Sequence, residues 1–199
     1  MYNEGEKILV ILSSPSGVGK TTLTKKIQQK YNNFKISVSH TTRQPRSNEV
    51  NGVDYYFVSV EEFQKLIAKN SFYEYAKIYE NYYGTLKENV DQTLKQNDII
   101  FDIDWQGTKQ LSKFKKLKLV KIYLITHSKE ELKKRLLSRD ENTPKEIQKR
   151  FNSFDEDIKH WNDYDFIIIN KNLEVCFKQI ENIIENFKKK TSIYPQKFL

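Results

Sequence analysis

Residues 13–22 read SSPSGVGKTT and carry the most definite chemistry in the chain. Gly17, Gly19, Lys20 and Thr21 stand in the order of a phosphate-binding loop, G-x-x-x-x-G-K-[ST], with Ser14 where the first glycine belongs. Glycines let backbone N–H groups converge on phosphate oxygens, and the helix that follows adds its positive end. The lysine reaches a transferred phosphate and the threonine hydroxyl ligates magnesium. At position 14 a glycine contributes conformational freedom, whereas the contacts to phosphate come from later residues. Pro15 biases Ser14 toward an extended backbone at negative φ, so the serine reads as a tolerated substitution in a working loop.

Two further groups have chemistry to offer. Asp102 and Asp104, in FDIDWQG, fall at the C-terminal end of an expected buried strand, where open parallel sheets bind ligands. A period of two turns both carboxylates to one side. One could hold the water ligands of magnesium and the other accept from a substrate N–H; the plainer alternative is a pair of strand-end caps facing solvent. Of 34 basic residues only five are arginine: Arg43, Arg46, Arg135, Arg139 and Arg150. In a chain that otherwise uses lysine, an arginine points to geometry, because the guanidinium fork binds phosphate bidentately and lysine does not. They fall in two tight groups, TTRQPR and KKRLLSRDENTPKEIQKR, and Arg135 and Arg139, four apart, share a helix face. The single cysteine, Cys176, recurs with Leu173, Phe177, Ile180 and Ile184 at helical spacing and is expected in the core. His40, His127 and His160 have no cysteine partners at zinc-ligand spacing, so no structural metal is expected.

These residues need elements to position them. A short apolar strand over 7–12 leads through the loop into a helix beginning near Gly19, with Leu23 and Ile27 inward. Further strands are expected over 99–103, 119–125 and 166–169, each beside helical periodicity. Continuous apolar strands alternating with helices give an α/β fold, a parallel sheet covered on both faces. Capping-box patterns at Ser59/Glu62, Thr85/Glu88, Ser128/Glu131 and Thr143/Glu146 place helices over about 60–69, 86–96, 129–138 and 144–160. The stretch 36–84, with short extended pieces, many tyrosines and the turn Asn51-Gly52, reads as an inserted mixed module. A second insertion is expected over 139–154, and the Lys-rich tail after Phe187 is expected to fray.

The whole chain, 199 residues with 38% hydrophobic and 30% charged content, is expected to form one globular domain. No apolar run approaches the roughly 18 residues that span a bilayer, and KILVIL is too short for a signal peptide; the expected location is the cytoplasm. A net charge of +8 could serve a polyanionic partner. Most lysines are interleaved with acids, as in SKEELKKRLLSRDE, and the densest runs, KFKKLKLVK and FKKKTS, hold one aromatic each, so no nucleic-acid partner is expected.

Five stretches, SSPSGVGKTTL, SVSHTTRQPRSNEVNGVDYYFVS, FYEYAKIYENYYGT, FDIDWQG and KKRLLSRDENTPKEIQKRF, resemble the guanylate kinase family in order and spacing, over about residues 7–187. The resemblance implies a P-loop NTPase-type parallel sheet core flanked by helices (1–35, 86–126 and 162–199), an inserted mixed α/β GMP-binding module (36–85) and a helical lid (127–161). It implies transfer of the γ-phosphoryl group of ATP to GMP in a monomer or homodimer. The ATP-binding residues would be Ser14, Pro15, Ser16, Gly17, Val18, Gly19, Lys20, Thr21 and Thr22, with Mg2+ held at Thr21 and Asp102. Arg43 and Arg46 would grip the GMP phosphate with the hydroxyls of Tyr55 and Tyr83. Glu74 would accept from guanine N1–H and the exocyclic amine, assisted by Asp104, while Ser39 and Thr85 donate to O6. Polar readout of this kind can reject the wrong base by about 10⁴. Lys20, Arg43, Arg135, Arg139 and Arg150 would be catalytic through charge neutralisation, with no covalent nucleophile and no essential general base. Asn170 at a strand end is a candidate adenine contact.

The chain departs from the family pattern at Asp140, where relatives have glycine, and at Ile125-Thr126-His127, where prolines are frequent. Two other readings stand beside this one. A phosphate-loop kinase for another monophosphate or a sugar phosphate is opposed by Glu74 with Ser39 and Thr85. A non-catalytic guanylate-kinase-like binding module is opposed by Lys20, Thr21 and the five arginines.

Overall fold

A computed structural model of the chain describes residues 7–137 and 144–189. The order is β1 (Leu9–Ser13), α1 (Lys20–Lys30), β2 (Phe34–Ile36), β3 (His40–Thr41), β4 (Tyr56–Phe57), α2 (Val60–Ala68), β5 (Phe72–Ile78), β6 (Asn81–Leu86), α3 (Lys87–Leu94), β7 (Asp98–Asp102) and α4 (Trp105–Leu111). It continues with β8 (Leu119–Ile125), α5 (Lys129–Leu137), α6 (Pro144–Asp157), a 3-10 helix (Ile158–Asp163), β9 (Phe166–Ile169) and α7 (Leu173–Lys188).

Five strands form a parallel sheet in the order β2-β7-β1-β8-β9. The central strand β1 is buried throughout, and its alternation divides the interior. Ile8, Val10 and Leu12 pack with Leu23 and Ile27 of α1, Leu132 and Leu136 of α5, and Ile180 and Ile184 of α7. Leu9 and Ile11 pack on the other face with Val90 of α3 and Leu111 of α4. With both faces covered, the strands must be apolar along their length, and β8 and β9 lie where the apolar runs put them. β1 begins two residues later than expected, and β7 one residue earlier, at Asp98. That aspartate, 4% exposed, accepts from the Ile8 N–H (3.0 Å) and Asn33 Nδ2 (2.6 Å) and pairs with Lys188 (2.7 Å), fastening β1 and α7 to the start of β7. Cys176 is buried in α7, and burial pushes its thiol up to about 12.

A second sheet, β4-β3-β6-β5, is mixed: β3 and β4 run parallel, while β3–β6 and β5–β6 are antiparallel. Its tyrosine-rich strands stack on α2, whose Phe63 lies 4.6 Å from the Phe72 ring and 5.3 Å from that of Tyr82. The β5–β6 register shifts between Phe72 and Glu74. A bulge there breaks the period of two and buries Phe72, Tyr73 and Glu74 in succession.

Ser59 and Glu62 make the full reciprocal capping box of α2, and the Ser128 hydroxyl accepts from the Glu131 N–H at 3.2 Å. The Thr85/Glu88 pattern is not a box: Leu86 is the N-cap of α3, and Thr85 stays in β6 with its hydroxyl turned to Ser39. Thr143 lies outside the described residues. The single helix expected over 144–160 ends at Asp157 and tightens to a 3-10 turn. Among the described residues no helix is long and apolar enough to cross a membrane.

Candidate active site at the carboxyl ends of the parallel strands

The loop after β1 turns on Gly17 (φ 91°) and Gly19 (φ 106°), both in the region that suits glycine. Among the described residues only Asn70 and Tyr79 are non-glycine residues at positive φ, so Ser14 has the negative φ that Pro15 favours. The Ser14 hydroxyl donates to the Pro15 carbonyl at 2.8 Å. From behind, the Val18 carbonyl accepts from Asn170 Nδ2 (2.8 Å) and from Arg135 Nη1 (3.1 Å). At the start of α1, Lys20 Nζ lies 3.2 Å from Asp102 Oδ1, and the Thr21 hydroxyl donates to Asp102 Oδ2 at 2.9 Å. One carboxylate at the end of β7 thus meets both the lysine and the threonine that open α1. Asp104 does not continue the strand: it is the N-cap of α4, accepting from the Gly107 N–H at 2.9 Å.

Across the cleft the second sheet gathers the other expected residues. Ser39 Oγ and Thr85 Oγ1 are 3.3 Å apart and buried. Glu74 is 3% exposed and its Oε1 has no partner in the protein. Desolvation, helped by the nearby Asp104 charge, raises the Glu74 carboxyl to about 7, although hydrogen bonds from Thr85 oppose the rise. A buried acceptor left unpaired is costly, and it suits a ligand bearing donors. The Arg43 guanidinium sits 5.4 Å from the Tyr55 ring centre, and Tyr55 and Tyr83 meet edge-on at 6.0 Å. Burial raises the Tyr55 hydroxyl far above its ordinary value, so it stays a donor. Glu49 was not expected: its carboxylate accepts from Arg43 Nη2 (2.7 Å) and from the Arg46 backbone N–H (2.8 Å). The signal for it was the single acid three residues beyond Arg46 in an otherwise basic and polar stretch.

The third side comes from α5 and α6. Arg150 Nη1 lies 3.5 Å from Ser16 Oγ in the phosphate loop. Arg135 donates to Asn170 O at 3.1 Å and pairs with Glu131 at 2.9 Å, so it braces the residues that support the loop. Arg139 lies outside the described residues. Asp157, also unanticipated, faces Asp104, the Trp105 indole, Lys20 and Ser153, and burial raises its carboxyl. No pattern in the sequence marks it, because the contact is purely tertiary. The Trp105 and His160 rings stack at 3.6 Å, nearly parallel at 9°. α6 also touches the β5–β6 hairpin, through Tyr79 Oη and Ser153 Oγ at 3.2 Å and Lys149 and Glu80 at 2.8 Å.

A glycine-turned loop between β1 and α1, facing an acid at the end of the neighbouring parallel strand, defines a phosphate-loop protein built to hold a nucleotide. The chain belongs to the guanylate kinase family, whose model matches residues 6–187. It is 43% identical over 185 residues to the guanylate kinase of Rickettsia felis, covering 92% of this chain and 96% of the relative. Its identity to the guanylate kinase of Clostridioides difficile is also 43%, over 94% of this chain and 91% of that one. The crystal structure of guanylate kinase from Anaplasma phagocytophilum superposes with a TM-score of 0.76 at 30% identity, covering 96% of this chain and 89% of that one.

Proposed function

We propose that this chain is an ATP:GMP phosphotransferase, passing the γ-phosphoryl group of ATP to GMP to give ADP and GDP. The observation that carries the base specificity is Glu74: a buried carboxyl with an unpaired oxygen, beside Asp104 and the Ser39–Thr85 hydroxyl pair. Guanine offers two adjacent donors, N1–H and the amine, and one acceptor, O6. Adenine would leave that acceptor-rich pocket unpaired.

In this reading Arg43 and Arg46, with Tyr55 and Tyr83, take the GMP phosphate, displacing the Glu49 carboxylate that the arginine loop now holds. Residues 14–22 take the phosphates of ATP. An oxygen of the GMP phosphate attacks the γ-phosphorus in line as the bond to ADP breaks. The charge that spreads over the transferring group is met by Lys20 and by the arginines of α5, α6 and their connection: Arg135, Arg139 and Arg150. Thr21 Oγ1 and Asp102, hard oxygen groups in contact at 2.9 Å, fit Mg2+ and would hold it with ATP. Bound there, the ion would offset the negative charge of the phosphates. The second sheet (36–85) acts as the GMP module and residues 127–161 as the lid, closing to exclude water. The setting we infer is the cytoplasm, where both nucleotides circulate.

Initial rates with GMP, AMP and dTMP side by side, with Lys20→Ala as control, test the reading. GMP is expected to be turned over far faster than the others and the variant to be inert. Equal turnover of the three, or none of GMP, overturns it.

A further inference from the structure

Gly107 is buried in the first turns of α4, at a backbone conformation open to any residue. Glycine weakens a helix relative to alanine, so neither local conformation nor propensity accounts for it. Its surroundings do. A Cβ at this position would stand 2.6 Å from Glu74 Oε2, 3.2 Å from Glu74 Cδ and 3.3 Å from Ile103 Cδ1. The backbone N–H of the same residue donates to Asp104 Oδ1 at 2.9 Å. Retreat of β5 from a new side chain is opposed by Gln110 of α4. Its amide nitrogen donates to the Tyr75 carbonyl at 2.6 Å, and its Oε1 accepts from the Tyr75 N–H at 3.1 Å. The two carboxylates assigned to the base therefore converge on one bare Cα, and the strand carrying one of them is clipped to the helix carrying the other.

We propose that Gly107 is a specificity-determining positioning residue: its missing side chain seats the Glu74 carboxylate while its N–H aims that of Asp104, fixing the spacing of two acceptors against guanine's two donors. This rests on the assignment of the pocket to GMP. A methyl group at 107 displaces Glu74 and leaves the phosphate loop, on the far side of the cleft, untouched. The effect is confined to recognition of the base.

The test is Gly107→Ala, assayed for KM and kcat with GMP and ATP, and with inosine monophosphate, which keeps N1–H and lacks the amine. KM for GMP is expected to rise about tenfold or more with KM for ATP unchanged, and preference for GMP over inosine monophosphate to shrink. Adding Glu74→Asp, which shortens the displaced side chain, is expected to cost less than the two single losses multiplied. If Gly107→Ala alone does not fold, Glu74→Ala/Gly107→Ala is expected to fold and melt like Glu74→Ala, since the obstructing carboxylate is gone. A GMP KM within about twofold of wild type, an equal loss for ATP, or an unfolded double variant overturns the inference. A wild-type protein inert toward GMP overturns the pocket assignment as well; an active wild type with an unaffected Gly107→Ala variant overturns this inference alone.

Discussion

In the proposed base pocket, Glu74 brings in pH in two opposite senses. Its carboxyl is raised from 4.5 to about 7 in the folded protein, so between those values the folded chain holds a proton that the unfolded chain has lost. Stability from this group is complete below about 4.5 and is lost as pH rises through about 7. In the proposed role guanine needs the ionised form, because N1–H and the amine both donate. KM for GMP is therefore expected to fall as pH rises toward about 7 and to level off above it, while Glu74→Gln flattens the profile at a weakened value; initial rates across neutral pH check this. Ser14, in contrast, has only a backbone task, which it performs at negative φ. Ser14→Gly is expected to change kcat/KM by less than about tenfold, and a gain of orders of magnitude in the same assay would show the serine to be damaging.

The loop that holds phosphate is shaped by elements far from it in sequence. Gly17 cannot carry a side chain, both for its φ of 91° and because a Cβ would meet Leu136 of α5 at 2.9 Å. Arg135 of α5 and Asn170 after β9 both donate to the Val18 carbonyl, which fixes the orientation of that peptide in the loop. Removing charged hydrogen bonds of this kind costs roughly 1.5–3 kcal/mol, so Arg135→Ala is expected to lose unfolding free energy of that order in denaturant titration, in addition to activity. An arginine acting only on ATP would leave stability unchanged. The apolar strands β8 and β9 were legible because burial on both faces leaves a continuous hydrophobic run. The glycine-turned loop after β1 and the Asp102 carboxylate beside Lys20 and Thr21 were legible because their types and spacing are local. Thr85/Glu88 misled because a hydroxyl at the end of β6 finds Ser39 across the sheet, a partner that spacing along the chain cannot show. The bulge at Glu74, the Glu49 clasp and the Gly107 contact were hidden for the same reason: each depends on which strand or helix lies alongside.

For the molecule as a whole, the contact between α6 and the β5–β6 hairpin joins the proposed lid to the proposed GMP module. The Lys149–Glu80 pair is exposed, 39% and 80% for its two side chains, and water screening leaves such a surface pair little weight. Tyr79, in a left-handed conformation (φ 56°) with its hydroxyl at Ser153, is the more specific contact. Tyr79→Phe is expected to raise KM for both nucleotides by a few-fold while Lys149→Ala changes it less, and small-angle scattering is expected to show compaction of the wild type when ATP and GMP are added together. The proposed closure has a resident witness. Trp105 follows Asp104 directly, opens α4 and lies against the His160 ring of the 3-10 turn behind α6. An indole's emission responds to whatever is stacked on it, so the proposed closure is expected to change the light this protein gives off. The stacked pair of rings is then a label-free optical gauge, readable in real time in a stopped-flow cell, with Trp105→Phe separating its signal from that of Trp161.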